Sequence, residues 1–361
     1  MHWHWLHPLV ARPGQGAAFL ALAVLVALAV DRLWGEPPAR WHPVVWMGQA
    51  LGACGRWVAP TASTGRDLKG FWLAALFWCA LAAIVLIVSA LLQAAVLYVW
   101  GAPTEVCEVI VDMPGLGLEG ASAVVGVLRF LLAALLLGLL LKPLFAFRLL
   151  LREVRAVEDA LARSLGEGRA RLAWLVSRDV TQLSADEVRQ SAIESLAENL
   201  NDSVVAPLFW FAVAGLPGAA LYRLANTADA MWGYRGMREG RYWEWAGKWA
   251  AHADDVLSWL PARITALLLA LAGGGVRPRA LAREARRTPS PNSGWPMAAM
   301  ALVLDVRLTK PGVYQLHAQG RAPGAPDVAR AETVASKVVM AIAGIAGAAI
   351  VIVVIEGVWN V

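Results

Sequence analysis

The chain has 361 residues, of which 58% are hydrophobic and only 16% charged, and its net charge is +5. Soluble domains carry charge on about a quarter of their residues, so an ordinary soluble fold is excluded. The positive excess is spread over loops, which argues against a nucleic-acid partner and fits the Lys/Arg bias of a membrane protein.

Crossing a bilayer takes roughly 20 apolar residues. The first apolar run, 17–30, is shorter and stops at Asp31 and Arg32. Its length would suit a signal peptide, but no small-residue cleavage pattern follows it, so it reads as a first transmembrane helix. Runs 71–100, 121–147 and 338–358 are long enough to span. The loop 31–70 holds Arg32, Arg40, Arg56, Arg66 and Lys69, whereas 101–120 has no Lys or Arg but carries Glu105, Glu108, Asp112 and Glu119. Segments 148–202 and 277–337 are again Arg-rich. Lys/Arg bias therefore places these two and 31–70 in the cytoplasm, and 101–120 and both termini outside. Residues 148–176 read as an amphipathic cytoplasmic helix, with Leu150, Val154, Val157, Leu161 and Leu165 at steps of three and four.

Two shorter apolar pieces, 204–225 and 260–275, do not fit this count, because Arg235, Arg238, Arg241 and Lys248 lie between them. Pro207 and the run Gly215-Leu216-Pro217-Gly218 cut the first into halves of about eight residues, roughly 12 Å of helix each. A broken backbone at membrane depth needs protein or a water-filled cavity around it. Residues 207–225 thus read as a re-entrant hairpin, and 262–272 as a second dip of the same kind. The expected fold is an all-α integral membrane protein: about four transmembrane helices, re-entrant hairpins and amphipathic cytoplasmic helices. It is one polytopic domain, 1–361, in which 148–202 and 277–337 carry part of the site.

The polar residues are unusual. Glu194, Glu198 and Asp202 are spaced by four, so a helix puts them on one stripe. Like charges at that spacing repel. A cation that the stripe must meet explains it better than an exposed acidic face, which is the plainer account. "NTADAMWGYR" then offers Asn226, Asp229 and Arg235, and "WAAHADDVLSWLPAR" offers Asp254, Asp255 and Arg263. Paired acids again suggest a divalent cation, since Mg²⁺ is commonly held by one or two carboxylates plus phosphates; an acidic helix cap accounts for one of them. In "SPNSGWPMAAM", Ser290, Asn292 and Ser293 precede an apolar helix whose N–H groups could face an anion, a weak signal alone. There is no P-loop, no dinucleotide fingerprint and no H-E-x-x-H. Cys54, Cys79 and Cys107 have no metal-like spacing.

Four stretches, "DRLWGEPPARWHPVVWMG", the long run from "SRDVTQLSADEVRQ" through "NTADAMWGYR", "AHADDVLSWLPARI" and "SPNSGWPMAAM", resemble the CobD/CbiB family of cobalamin biosynthesis. The resemblance runs in order from Asp31 to about Tyr314. It implies a multi-pass inner-membrane adenosylcobinamide-phosphate synthase with its site facing the cytoplasm. Such an enzyme joins adenosylcobyric acid, a corrinoid, to aminopropanol phosphate or ethanolamine phosphate, with ATP as co-substrate and Mg²⁺. On this reading Glu198, Asp202, Asp254 and Asp255 are the expected metal holders, and Glu194, Glu198, Asp202, Asp229 and His42 the expected catalytic groups. Arg178, Arg235, Lys248, Arg263, Ser290 and Asn292 are the expected contacts to phosphates or corrin carboxamides. His42 suits acid–base chemistry and a structural contact equally. The implied partners are the corrinoid, the amine phosphate and the lipid bilayer, with room for other cobalamin-assembly enzymes and further copies of the chain.

Two departures stand out: Ser258 where the family commonly has Asn, and "RLTKPGVYQLHAQG" where a Leu-Gly-Gly turn usually precedes the Tyr. The second puts in doubt how the Tyr314 loop closes. Two other classes compete with the ligase. A non-catalytic AmpE-like signalling protein of the same superfamily would not need the retained acids. A transporter would share the broken hairpin, but no internal repeat is present.

Overall fold

A computed structural model describes residues 13–62, 65–101 and 118–359. Most of the loop expected outside the membrane, with Glu105, Cys107, Glu108 and Asp112, therefore lies outside the described residues. The protein is almost wholly helical, with two short two-stranded hairpins. In chain order the helices are α1 (Pro13–Leu33), α2 (Pro43–Val58), α3 (Leu68–Gly101), α4 (Leu118–Leu141), α5 (Phe147–Arg163) and α6 (Leu165–Leu172). They continue with α7 (Ala185–Leu200), α8 (Ala206–Trp232), α9 (Lys248–Ala272), α10 (Pro278–Ala285), α11 (Gly294–Leu304) and α12 (Ala325–Trp359). The hairpins are β1 (Met237–Arg238) with β2 (Arg241–Tyr242), and β3 (Leu308–Lys310) with β4 (Tyr314–Leu316).

Six helical stretches are long and apolar enough to cross a membrane. The four expected spans are among them, as α1, α3, the α4 region and α12, and the protein is a multi-pass membrane protein. α1 packs between α4 and α12, and α3 packs on α4 and α8. Leu76 and Leu91 of α3 are 66% and 65% exposed, and Met340 of α12 is 71% exposed. Apolar side chains outside a helical bundle belong where lipid tails are the solvent.

The one amphipathic helix expected over 148–176 is two: Leu165 opens α6, and α5 has Leu150, Val154, Val157 and Leu161 on its buried side. It ends at Ser164, whose side chain caps α6 through the Glu167 N–H. α7 opens on a complete capping box between Ser184 and Glu187.

The hairpin at 207–225 is present, but its entering leg is not a short piece. α7 runs through a π-helical turn, Asn201–Val205, directly into α8, and Pro207 does not end it. Pro207 has no N–H to offer the carbonyls behind it. Instead Arg223 Nη1 donates to the Asp202 carbonyl at 2.9 Å, and the Ala146 N–H donates to that of Ser203 at 2.9 Å. The reversal occurs at Ala214 and at Gly215, whose φ of 65° favours glycine. The freed N–H of Leu216 is met by Gln93 Oε1 of α3 at 2.7 Å. The second leg then returns, so that Arg223 reaches Asp202.

The second expected dip is corrected. Residues 262–272 belong to α9, one continuous helix of 25 residues. Pro261 lies inside it without reversing it. Trp210 Nε1 of α8 donates to the Leu257 carbonyl at 2.9 Å, the group that a proline four residues later leaves without a partner.

Candidate functional site

The acids converge where α7, the two legs of α8 and α9 meet. Glu198 lies in the electrostatic field of Glu194, Asp202 and Asp229. Asp254 lies in that of Asp202, Asp229 and Asp255. Glu198, Asp202, Asp229, Asp254 and Asp255 are all half-buried, and Asp255 lines a cavity. The four-residue spacing works as expected for Glu194 and Glu198 on α7, and the π turn carries Asp202 onward to face the second leg. Such π turns are common at functional sites.

A polar scaffold holds these carboxylates. Asn201 Nδ2 donates to Asp202 Oδ1 at 2.7 Å, and Thr265 Oγ1 of α9 donates to Asn201 Oδ1 at 3.0 Å. Arg223 bonds Asp202 through its carbonyl and reaches Asn226 Oδ1 at 3.4 Å. On α9, Ser258 stands 3.0 Å from the buried Tyr222 hydroxyl and 3.5 Å from Asp254 Oδ1. The departure at Ser258 therefore keeps a polar link between the hairpin and the acid pair.

Glu194 is set apart from the other acids by its partner. Its side chain is 5% exposed and pairs with Arg178 Nη2 at 3.0 Å, and the same nitrogen donates to Ser191 Oγ at 2.6 Å. Arg178 Nε and Nη1 are buried without a hydrogen-bond partner. Lys310 and Tyr314, on the β3–β4 hairpin that packs on α7, also bear on Glu194. Burial, then the charges of Glu194 and Glu198, push the Tyr314 hydroxyl up. A turn does precede Tyr314: Val313 N donates to the Lys310 carbonyl at 3.0 Å, and Gly312 at φ 72° follows Pro311 in the pattern of a type II turn.

The expected phosphate contacts divide into two groups. Arg235 and Lys248 line one cavity of about 340 Å³ with Tyr234, His252 and Asp255. His252 and Asp255 also line the next hollow, with Trp259 and Pro291, and those two continue into a third with Arg263 and Ser290. A groove thus follows one face of α9. Arg263, however, is already engaged: its guanidinium lies 4.4 Å from the Trp259 ring centroid and 4.9 Å from that of Trp295. It also donates to Asn292 Oδ1 at 2.8 Å and to the Trp259 and Pro291 carbonyls. Asn292 in turn donates to the Asp255 carbonyl at 2.8 Å. Ser290 Oγ accepts from the Asn292 and Ser293 N–H groups, both at 3.2 Å. Those amides face Ser290 Oγ, and Arg263, Ser290 and Asn292 are tied to one another and to α9 along the groove.

Among the described residues, no three His, Cys, Asp or Glu side chains stand close enough to enclose a metal ion by themselves. The acids nevertheless outnumber the cations. Glu198, Asp202, Asp229 and Asp254 crowd together beside Arg223, and crowded carboxylates favour a cation among them. That donor set suits a Mg²⁺ ion whose remaining ligands are phosphate oxygens and water, not a cage made by the protein alone.

Sequence reasoning missed Arg223, Tyr222, Gln93, Lys142 and Glu36. Arg223 and Gln93 carried a usable signal, because a charged or amide side chain inside an apolar run is functional by default. Lys142 lies inside the apolar run 121–147 and carried the same signal. It is 3% exposed and ion-paired to Asp31 at 3.1 Å and Glu36 at 2.8 Å. His42 Nε2 lies 3.1 Å from Glu36 Oε2.

A family model described as CobD/Cbib protein matches residues 24–343. The chain is 37% identical over 299 residues to the probable cobalamin biosynthesis protein CobD of Methanothermobacter thermautotrophicus, covering 81% of this chain and 85% of the relative. It is 37% identical over 308 residues to the cobalamin biosynthesis protein CobD of Halalkalibacterium halodurans, covering 81% and 82%. With the protein of the same name from Chromobacterium violaceum the identity is 38% over 291 residues, covering 80% and 81%. No solved structure matches the chain.

Proposed function

Since the chain belongs to the CobD/CbiB family of cobalamin biosynthesis, we propose that it makes the amide bond between adenosylcobyric acid and aminopropanol phosphate or ethanolamine phosphate, at the expense of ATP. The observation that carries this reading is the half-buried cluster of Glu198, Asp202, Asp229 and Asp254 beside Arg223, set against an apolar hairpin. A corrin is large and partly apolar, while its reacting arm and both phosphorylated co-substrates are charged. A site at a membrane face can hold both kinds of surface.

A carboxylate does not react with an amine until it is activated. Transfer of a phosphoryl group from ATP supplies that activation, and positioning and charge stabilisation do most of the work in such a step. Asp202 and Asp254, with Glu198 and Asp255 beside them, would hold Mg²⁺ together with phosphate oxygens. When bound, the ion offsets charge on those oxygens. Arg235 and Lys248 would meet a phosphate in the cavity that Asp255 lines. Arg178, with two unpartnered N–H groups, would meet another charged arm. Glu194 orients Arg178. Asp229 stands close enough to Asp202 and Asp255 to set the charge of the cluster.

The test is the purified protein in detergent with adenosylcobyric acid, amine phosphate, ATP and Mg²⁺, followed by mass spectrometry. The expected product is the amide, one per ATP cleaved; no ATP-dependent amide with either amine would overturn the reading. We assign the site to the cytoplasmic face of the inner membrane. In a background without native cysteines, a single cysteine at Arg241 should resist an impermeant thiol reagent on intact cells, and one at Glu119 should react. The opposite pattern would reverse the assignment.

A further inference from the structure

Three neighbouring rows of side chains on α9 face three different surroundings. Ile264 and Leu268 line an apolar cavity of about 420 Å³ with residues of α1 and α12, two of the spans, so that side of α9 lies at hydrocarbon depth. Next round the helix come Leu260, Leu267 and Leu271, all exposed. A row of bare leucines beside the spans belongs against lipid tails. The third row is Trp259 and Arg263, one turn apart, and it opens on the last hollow of the groove. The boundary between hydrocarbon and headgroups therefore runs lengthwise along α9, as on a helix that lies in the interface. Trp259 and Trp295 suit that depth.

The hollow has the chemistry of an anion site. Its volume is about 590 Å³, and among the described residues Arg263 and Arg286 line it while no Asp or Glu does. The other two hollows of the groove are both lined by Asp255. Arg263 is held in place against the Trp259 and Trp295 rings. Three of its five N–H groups go to Asn292 and to the Trp259 and Pro291 carbonyls, which leaves Nε–H and one Nη2–H for a ligand. A guanidinium fixed in this way loses little rotamer freedom when it meets phosphate oxygens. Arg286 directly follows α10. Glu284 pairs with Arg283 and Arg287 instead, and the exposed Arg286 side chain has no hydrogen bond or ion pair among the described residues.

We propose that this hollow holds the phosphate of an anionic phospholipid from the surrounding bilayer, with Arg263 and Arg286 on the phosphate and an acyl chain along Leu260, Leu267 and Leu271. The leucine row decides between a lipid and a soluble phosphate. A soluble phosphate has nothing to lay against three exposed leucines, whereas a lipid with its headgroup in the hollow has its tails on that row. The lining decides between lipids. Two guanidinium groups with no carboxylate beside them complement a net negative headgroup, while the ammonium of a zwitterionic lipid would meet no counter-charge there. The bound headgroup bridges α9 and the segment that follows α10, and so fixes one wall of the groove.

The test uses the full chain purified into mixed micelles of phosphatidylcholine and phosphatidylglycerol, with native mass spectrometry to count the lipids retained. Phosphatidylglycerol should be retained in preference to phosphatidylcholine; equal retention overturns the proposal. Arg286→Gln should weaken the retained phosphatidylglycerol by about 10- to 100-fold, as the loss of a charge-assisted hydrogen bond requires. Its melting temperature in phosphatidylcholine alone should match wild type, because the side chain has no protein partner to lose. Arg279→Gln removes the same charge from α10 but does not line the hollow. It should cost less than about fivefold, the diffuse attraction of one surface charge. Equal losses in the two variants would mean that charge spread over α10 attracts the lipid, and would overturn the proposal. Glycerol phosphate and ATP should leave the lipid in place; displacement by either assigns the hollow to a soluble phosphate and also overturns it. None of these measurements needs turnover, so they stand apart from the ligase reading.

Discussion

α8 and α9 each carry a proline within an apolar helix, and they take opposite shapes. α8 turns back on itself at Gly215, and α9 runs on through Pro261. A proline alone does not decide this, since Pro207 and Pro261 are both passed without a break, whereas Pro217 stands just after the reversal. What decides is where the orphaned backbone groups find partners, and whether a residue tolerant of left-handed φ is present. In α9, Trp210 satisfies the Leu257 carbonyl and the helix continues. In α8, Gly215 permits the reversal and Gln93 receives the freed N–H of Leu216. The outcome is functional: the reversed helix brings Asp229 and Arg223 back to Asp202, while the straight one delivers Asp254 and Asp255 to the same place.

The strongest way to break the comparison is to remove the reversal. Replacing Gly215-Leu216-Pro217-Gly218 with four leucines should make α8 as straight as α9. Asp229 and Arg223 would then be carried away from Asp202. Amide formation should vanish while the protein still inserts in the membrane, read by mass spectrometry of the product and by fractionation. Retained ligation would mean that the reversal is ornamental.

Next come the acids on the two arms. Asp202→Asn and Glu198→Gln each keep size and hydrogen bonding but lose a charge. If these groups hold Mg²⁺ on phosphate, each should cost several kcal/mol in the transition state, a rate loss of about a thousandfold. Their melting temperatures should hold or rise, since like-charge repulsion is relieved. Asp255→Asn on α9 should cost only about tenfold, because Asp255 lines the outer groove and its backbone carbonyl, not its charge, holds Asn292 most closely. Equal losses at Asp202 and Asp255 would show that the arms are not ranked in this way.

The sequence was legible where a signal is local and periodic. Apolar runs revealed the four spans, and four-residue spacing put Glu194 and Glu198 on one face. Gly215-Leu216-Pro217-Gly218 marked the reversal. It was not legible where the deciding partner is distant in sequence. Nothing near Pro261 says that Trp210 will hold the carbonyl of Leu257, so 262–272 read as a second dip. Nothing near Arg263 says that Trp295 will stack on it or that Asn292 will accept from it. Lys142 and Glu36 are 106 positions apart, and only packing shows that they pair.

A smaller effect is expected at Gln93, whose amide is polar in the middle of a long apolar helix. Gln93→Leu leaves the Leu216 N–H buried without a partner, which costs about 1–3 kcal/mol. The thermal transition in detergent should fall, and activity should fall with it as the reversal loosens. Gln93→Glu keeps an acceptor oxygen and should lose less. If both variants melt like wild type, water or lipid headgroups must supply the missing acceptor.

The smallest expected effect sharpens the other half of the comparison. Trp210→Phe keeps most of the ring that packs on α9 but removes the N–H that reaches the Leu257 carbonyl. That loss should destabilise by about 1 kcal/mol, plus whatever packing the smaller ring gives up. Pro261→Ala restores a backbone N–H that can reach the same carbonyl from within the helix. In the Pro261→Ala background, Trp210→Phe should therefore cost only its packing part. The difference between the two costs isolates the hydrogen bond, in the manner of a double-mutant cycle. Equal costs in both backgrounds would mean that Trp210 holds α9 straight by packing alone. A coupling near 1 kcal/mol would show that a proline in α9 is tolerated because a side chain on α8 meets the group it leaves behind.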